Sequence, residues 1–258
     1  MVTEKRKALS IPPCGPPSEV VEELALDEPV SINVNGDYYV TLIATPEMRE
    51  ELAAGILLTQ GVIDSVELIE SIGFSGGEVN VRLAKEVDLP ETTDTTMNLI
   101  VTACASSPTS RVKATQISEV SSDLTVNAGS LREMIAELNR RSSVHMRTRG
   151  THAAMLCSRE GRAHSFAEDV GRHNAVDKAI GSHALAGGVL GDCVLLSTGR
   201  QSGEMVQKAA RCGVPVVASL TVPLVSGIRL AEASGVTLAG FSGGGLKVYA
   251  NPDRIKVG

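Results

Sequence analysis

A chain of 258 residues, 43% hydrophobic and 21% charged, can bury a sizeable core, which excludes disorder over most of its length. A formal net charge of −6 argues against a broad clamp on nucleic-acid phosphates, and three Tyr, three Phe and no Trp leave little for a base-stacking platform. No run of about 18 apolar residues occurs, so neither a spanning helix nor a membrane partner is expected.

Residues 1–17, charged and proline-rich, lack the apolar run of a signal peptide and are expected to form a mobile tail. Val30, Ile32 and Val34 then alternate, Asn35-Gly36 offers a tight turn, and Tyr38 to Ile43 return, which predicts a hairpin over 27–45. Thr45-Pro46 is expected to open a helix carrying Met48, Leu52 and Ile56 on one face, with Gly61 closing it. Strand-like runs near 66–72 and 78–84 follow, and the polar stretch 86–98 ends a small α/β domain expected over 18–98. Residues 99–128 are expected to link it to a second domain, with a loop of small and polar residues over 104–115.

From 129 to 258 the pattern is orderly. A helix over about 130–141 precedes strands at 152–158 and 162–167. Helices at 174–185, 203–212 and 224–234 then alternate with strands at 193–198, 214–219 and 236–241. This alternation predicts parallel neighbours in the last three strands, joined to an antiparallel edge hairpin in one mixed sheet. The element order is also that of the cytidine-deaminase-like fold, so the expectation is an α/β protein with a cytidine-deaminase-like mixed-sheet C-terminal domain and a smaller N-terminal α/β domain.

Three segments could carry chemistry. Phe166 to Asn174 packs Glu168, Asp169, Arg172 and His173 between a strand and a helix, where open α/β sheets build their sites. A capping cluster would use the same residue types. Thr198, Arg200 and Ser202, in Ser197-Thr-Gly-Arg-Gln-Ser-Gly203, suit an anion at a helix start, although a tight turn explains the glycines equally well. Phe241, Ser242, Gly243, Gly244, Gly245 and Leu246 form a flexible run that lets backbone approach a ligand closely, or simply a hairpin turn.

The five cysteines, Cys14, Cys104, Cys157, Cys193 and Cys212, are odd in number and form no Cys-x-x-Cys pair, which points to reduced thiols in the cytoplasm. Cys157 and Cys193 lie in apolar strands, Cys212 ends a helix and Cys14 lies in the tail. Cys104 alone falls on a predicted loop, the setting a transferable sulfur needs. His145, His152, His164, His173 and His183 show no paired metal-ligand spacing. The helix starts at which zinc deaminases carry His-x-Glu and Pro-Cys-x-x-Cys read His173-Asn-Ala and Ser202-Gly-Glu here, so no catalytic zinc is expected.

Glu168-Asp-Val-Gly-Arg-His-Asn-Ala-Val-Asp-Lys-Ala-Ile-Gly181, with Gly150-Thr-His-Ala-Ala154, Thr198-Gly-Arg-Gln-Ser-Gly-Glu-Met-Val-Gln-Lys208 and Val236-Thr-Leu-Ala-Gly-Phe241, resembles the formate dehydrogenase accessory sulfurtransferase family, often called FdhD. The resemblance covers roughly residues 20–255. It implies a cytoplasmic homodimer and a sulfurtransferase that passes a persulfide sulfur from a cysteine desulfurase to the molybdenum bis-guanine-dinucleotide cofactor. That cofactor is bound as substrate, with GDP or GMP as a fragment mimic, and serves a molybdenum- or tungsten-dependent formate dehydrogenase. Cys104 is the implied sulfur carrier. The family's Cys-Gly-x-Cys reads Cys104-Ala-Ser-Ser107 here, its Arg after Gly-Phe is replaced by Ser242-Gly-Gly-Gly245, and its Ala-Pro-Thr is Thr221-Val-Pro223. Two other readings remain open. One is a cofactor-binding chaperone that moves no sulfur; the other is a general persulfide or thiol-redox protein.

Overall fold

The computed structural model describes residues 2–85 and 119–257. Residues 1–17, expected to be a tail, hold strand β1 (Thr3–Ser10), which pairs antiparallel with β2 (Ser18–Ala25). The pairing sets Lys5 opposite Glu23 and Arg6 opposite Glu22. Opposite charges facing across two strands stabilise a ribbon without the apolar alternation that marks a core strand. Arg147 donates to Glu23 at 3.0 Å and fastens the ribbon to the rest of the protein.

The expected hairpin forms from β3 (Glu28–Val34) and β4 (Asp37–Ala44), with Asn35 and Gly36 both at positive φ in the turn. Helix α1 (Arg49–Gln60) starts after Met48 rather than at Thr45, and Gly61 closes it with φ 72°. Thr45 does not cap because its groups are engaged elsewhere. Its N–H donates to Asp169 at 3.0 Å, and its hydroxyl accepts the Val170 N–H at 3.1 Å. Strands β5 (Ile69–Ser75) and β6 (Glu78–Leu83) complete a four-stranded sheet of order β4-β3-β6-β5, in which β3 and β6 are parallel.

Beyond residue 119, the short β7 (Val126–Asn127) leads into α2 (Ala128–Arg141), capped by Asn127, and then α3 (Ser143–Thr148). Next come β8 (His152–Cys157), β9 (Ala163–Asp169), α4 (Arg172–Leu185), β10 (Val194–Ser197) and α5 (Gly203–Arg211). The chain continues through β11 (Val216–Ser219), α6 (Val225–Ser234), β12 (Thr237–Ser242), β13 (Gly245–Ala250) and β14 (Ile255–Lys256), which pairs with β7. The mixed sheet has the order β13-β12-β11-β10-β8-β9. Strands β10, β11 and β12 are parallel, and β8–β9 is the expected antiparallel edge. The opposite edge is antiparallel too, because the glycine run turns the chain back into β13 with Gly243 and Gly244 at φ 61° and 80°.

The unit expected over 18–98 shares its core with the mixed sheet and the helices on one of its faces. Ile32, Leu52 and Leu57 belong to the same buried cluster as Ile180, Leu195 and Val206. Helix α1 lies against α4, with Gly55 on the Asp177 carbonyl and Gly181 on the Glu51 carbonyl. The other face of the mixed sheet packs Met155, Leu196 and Ala218 under Leu131, Met134 and Leu138 of α2. Among the described residues no helix is long and apolar enough to cross a membrane.

Candidate functional site

All three candidate segments reach one edge of the mixed sheet. His152 faces Asp169, Ser197 faces both Ala154 and Ser219, and Ser219 faces Gly240, so the C-terminal ends of β9, β10, β11 and β12 share that edge. They are not next to one another, as a ligand spanning all three would favour. β8 separates β9 from β10, and β11 separates β10 from β12, so β9 and β12 stand about 19 Å apart at normal strand spacing.

Helix α4 closes the first of these gaps. Gly199 packs so closely on Arg172 that a Cβ there would lie 2.8 Å from the Arg172 Cβ. The 241–246 segment is linked to the others through the 219–224 connection. Gly240 abuts the Thr221 carbonyl, the Leu224 N–H donates to Gln201 at 2.9 Å, and the Ser219 hydroxyl donates to the Gly199 carbonyl at 2.8 Å. Within that segment Gly243 and Gly244 form the exposed tip and Gly245 and Ser242 are half-buried. Phe241 and Leu246 pack against the second core cluster.

Two of the expected ligand contacts are structural instead. Asp169 is fully buried. It accepts from Lys178 Nζ at 2.6 Å, Gly171 N–H at 2.8 Å, Asn174 Nδ2 at 3.0 Å and Thr45 N–H at 3.0 Å. Four donors exhaust what a carboxylate offers. Glu168 accepts the N–H groups of Val144 at 3.0 Å and His145 at 2.8 Å, together with the Thr151 hydroxyl at 3.1 Å. It therefore anchors α3.

A polar set remains where α4 and α5 begin. Arg172 Nε, His173 Nε2, Gln201 Oε1 and Ser202 Oγ are all buried without a hydrogen-bond partner. Neither N-cap residue, Gly171 or Ser202, caps its helix with its own side chain, although the Ser226 hydroxyl accepts the Gly203 N–H at 3.1 Å. Unmet buried polar atoms cost free energy, and four in one place mark a site that a ligand or water completes. His173 Nε2 lies 3.5 Å from Glu204 Oε2. Burial first, then the charges of Lys208 and Arg172, push the His173 pKa down to about 3, so the imidazole is neutral and the contact is no ion pair.

Around this set, Thr198 Oγ1 accepts the Ala153 N–H at 2.9 Å and lies 3.4 Å from His152 Nδ1. Burial, then Arg172, lower the His152 pKa. Arg200 is exposed at the rim. Leu224, whose N–H donates to the Gln201 carbonyl, presents an exposed apolar side chain. Sequence reasoning missed Gln201, Glu204 and His152 as site residues, although each lay in a quoted motif.

Three thiols are unsuited to nucleophilic work. Burial pushes Cys157, Cys193 and Cys212 each up to about 12. Cys193 is further held by the Val189 carbonyl at 3.3 Å and His183 at 3.3 Å. Cys14 is exposed. Cys104 and Ser107, on which the carrier expectation rests, lie outside the described residues. Among the described residues no three His, Cys, Asp or Glu side chains are grouped to hold a metal ion.

The sheet and its edge define a mixed α/β protein with a candidate polar site at the starts of two helices. The profile of the FdhD/NarQ family matches residues 25–256, and the chain belongs to that family. It is 36% identical to the sulfur carrier protein FdhD of Mycobacterium tuberculosis over 220 residues, 78% of this chain and 79% of that one. Identity to the protein of the same name from Streptomyces avermitilis is 35%, over 85% of this chain and 83% of the other. A Desulfotalea psychrophila crystal structure, provisionally assigned as a formate dehydrogenase accessory protein, superposes with a TM-score of 0.81 at 28% identity, covering 99% of this chain and 100% of that one.

Proposed function

We propose that the protein is a sulfur carrier serving a molybdenum- or tungsten-dependent formate dehydrogenase. It takes a persulfide sulfur from a cysteine desulfurase on Cys104 and delivers it to the molybdenum bis-guanine-dinucleotide cofactor, bound as substrate between the starts of α4 and α5. The observation that carries the reading is the set of buried, unpartnered polar atoms on Arg172, His173, Gln201 and Ser202. With Arg200 at the rim, this set fits a ligand that is anionic at a pyrophosphate and polar at a base. The relatives' shared name, sulfur carrier protein, supports the transfer role. The reading includes a cytoplasmic homodimer and a cytidine-deaminase-like sheet, which the order of elements from α2 to β12 supports.

The loading step is simple. The Cys104 thiolate attacks the outer sulfur of the desulfurase persulfide, the S–S bond breaks, and the desulfurase thiolate leaves. The sulfur is then a persulfide on Cys104. With Ser107 in place of a second cysteine, no disulfide can form within that pair, so one cysteine performs the relay.

Intact-mass measurement after incubation with a desulfurase and free cysteine tests the proposal. A gain of one sulfur atom is expected in the wild type and in Cys14→Ala, Cys157→Ala, Cys193→Ala and Cys212→Ala, and no gain in Cys104→Ala. A gain that survives Cys104→Ala overturns the assignment.

A further inference from the structure

The polar set between α4 and α5 is mixed in its hydrogen-bonding character, and the mixture limits what it can hold. Arg172 Nε can only donate. Gln201 spends its amide nitrogen on the Gly199 carbonyl at 2.8 Å, which leaves its unpartnered Oε1 as an acceptor in a side chain only 1% exposed. Ser202 Oγ can do either, and the Glu204 carboxylate, 3.5 Å from His173, can only accept. A phosphate presents oxygens alone. It would find Arg172 and Ser202 useful but would face two acceptors, buried Gln201 Oε1 and the part-exposed Glu204 carboxylate. Exposed Arg200 suits the anion better, at the rim.

The floor therefore asks for a neutral group with N–H donors beside a carbonyl acceptor. We propose that Glu204 reads the 2-amino-lactam edge of a fused pyrimidine ring, accepting its ring N–H and exocyclic amine while Arg172 or Ser202 donates to the ring carbonyl. Adenine fails this test, since beside its one amine it turns a ring nitrogen acceptor toward the carboxylate. The exposed Leu224, tied to the Gln201 carbonyl through its N–H, gives the flat ring an apolar flank.

The edge is shared by guanine and by pterins, so two parts of one cofactor could supply it. The inference rests on the dinucleotide reading proposed for this protein and adds the residue that sets base specificity.

Binding of GDP, inosine diphosphate (the same nucleotide without the 2-amino group) and 6-carboxypterin to wild type, Glu204→Gln and Glu204→Asp tests it. Glu204→Gln keeps the shape of the side chain. Glu204→Asp keeps its charge but shortens its reach, and serves if the first variant does not fold. Wild type should prefer GDP over inosine diphosphate by at least about tenfold, the factor one charge-assisted hydrogen bond carries. Either variant should bring the two nucleotides within about threefold, through loss of GDP affinity and not gain of the other. Equal binding by wild type, or a preference that survives substitution, overturns the role of Glu204 and leaves the dinucleotide reading standing. If neither nucleotide binds, the dinucleotide reading fails at this site and the pterin decides. Pterin binding that Glu204→Gln weakens by about tenfold or more sustains the edge, and no binding overturns both.

Discussion

Glu168 and Asp169 are neighbours on β9, and a strand sends consecutive side chains to opposite faces. One anchors α3 and the other is buried under Lys178, so the densest polar cluster in the sequence divides between scaffold and site. The cluster was legible as a cluster. Which of its members face a ligand was not, because that depends on partners such as Thr45 and Val144 that are distant in the chain. Arg172 and His173 are the members left with unmet nitrogens, and Arg172 Nε can only donate. Replacement of Arg172 by Ala should weaken GDP binding by at least about tenfold, and adding Arg200→Ala should weaken it further. Calorimetry showing unchanged GDP affinity in the double variant would place the nucleotide elsewhere. His173 makes a second prediction. Its folded pKa of about 3 lies below the 6.5 of an unperturbed imidazole, so below pH 6.5 the unfolded chain takes up a proton that the native state refuses. Stability is thus lost as pH falls, by about 2 kcal/mol from this group between pH 7 and pH 5. Urea titrations at the two pH values should show a smaller difference in His173→Gln, and an unchanged difference would mean the imidazole ionises in the native state.

At the scale of elements, regular segments declared themselves and tertiary choices did not. Strands β3, β4, β8, β10, β11 and β12 fell where alternation or apolar runs put them, and Gly61 and Gly235 close α1 and α6 in the left-handed conformation that favours glycine. The start of α1 slipped from Thr45 because a tertiary contact outcompeted a local cap. Strand β1 was missed because it faces charges rather than a core. Gly55 and Gly181 show what pattern reading cannot reach. Neither turns the chain, and each is glycine because a helix backbone passes directly over it. An added methyl at Gly181 would press on the Glu51 carbonyl, and backbone cannot swing aside as a side chain can. Gly181→Ala should therefore cost about 3 kcal/mol or prevent folding. The exposed Gly187→Ala control is strained only by its φ of 76° and should cost less. Equal denaturation midpoints for the two variants would show that the helices can separate freely.

At the scale of the molecule, the predicted boundary between an N-terminal domain and the rest rests on the polar composition of 86–98. Composition reports on the connection, not on what the connected parts bury together. Two charged networks cross between them. Lys178 reaches Asp169 at 2.6 Å and the Thr45 carbonyl at 2.8 Å, while Asn174 donates to the Ile43 carbonyl at 2.9 Å. Lys208 reaches both Asp177 oxygens at 2.8 Å, and Thr59 of α1 donates to the same carboxylate at 2.7 Å. Burial first, and in smaller part the charge of Asp169, raise the Asp177 pKa, while Lys208 and Thr59 oppose that shift. Paired charges at such depth add little net stability, yet each depends on its partner, because a stranded one is costly. Lys178→Met would leave Asp169 enclosed without a counter-charge, and should destabilise the whole protein by about 3–5 kcal/mol. Since α1 is packed between the four-stranded sheet and α4, the loss cannot remain local. Thermal unfolding of wild type and Lys178→Met should each follow a single transition, with the variant's displaced to lower temperature. Adding Asp169→Asn should recover part of the loss by removing the orphaned charge. Two separable transitions, one unmoved by Lys178→Met, would instead mean that the N-terminal sheet folds by itself and merely rests on α4.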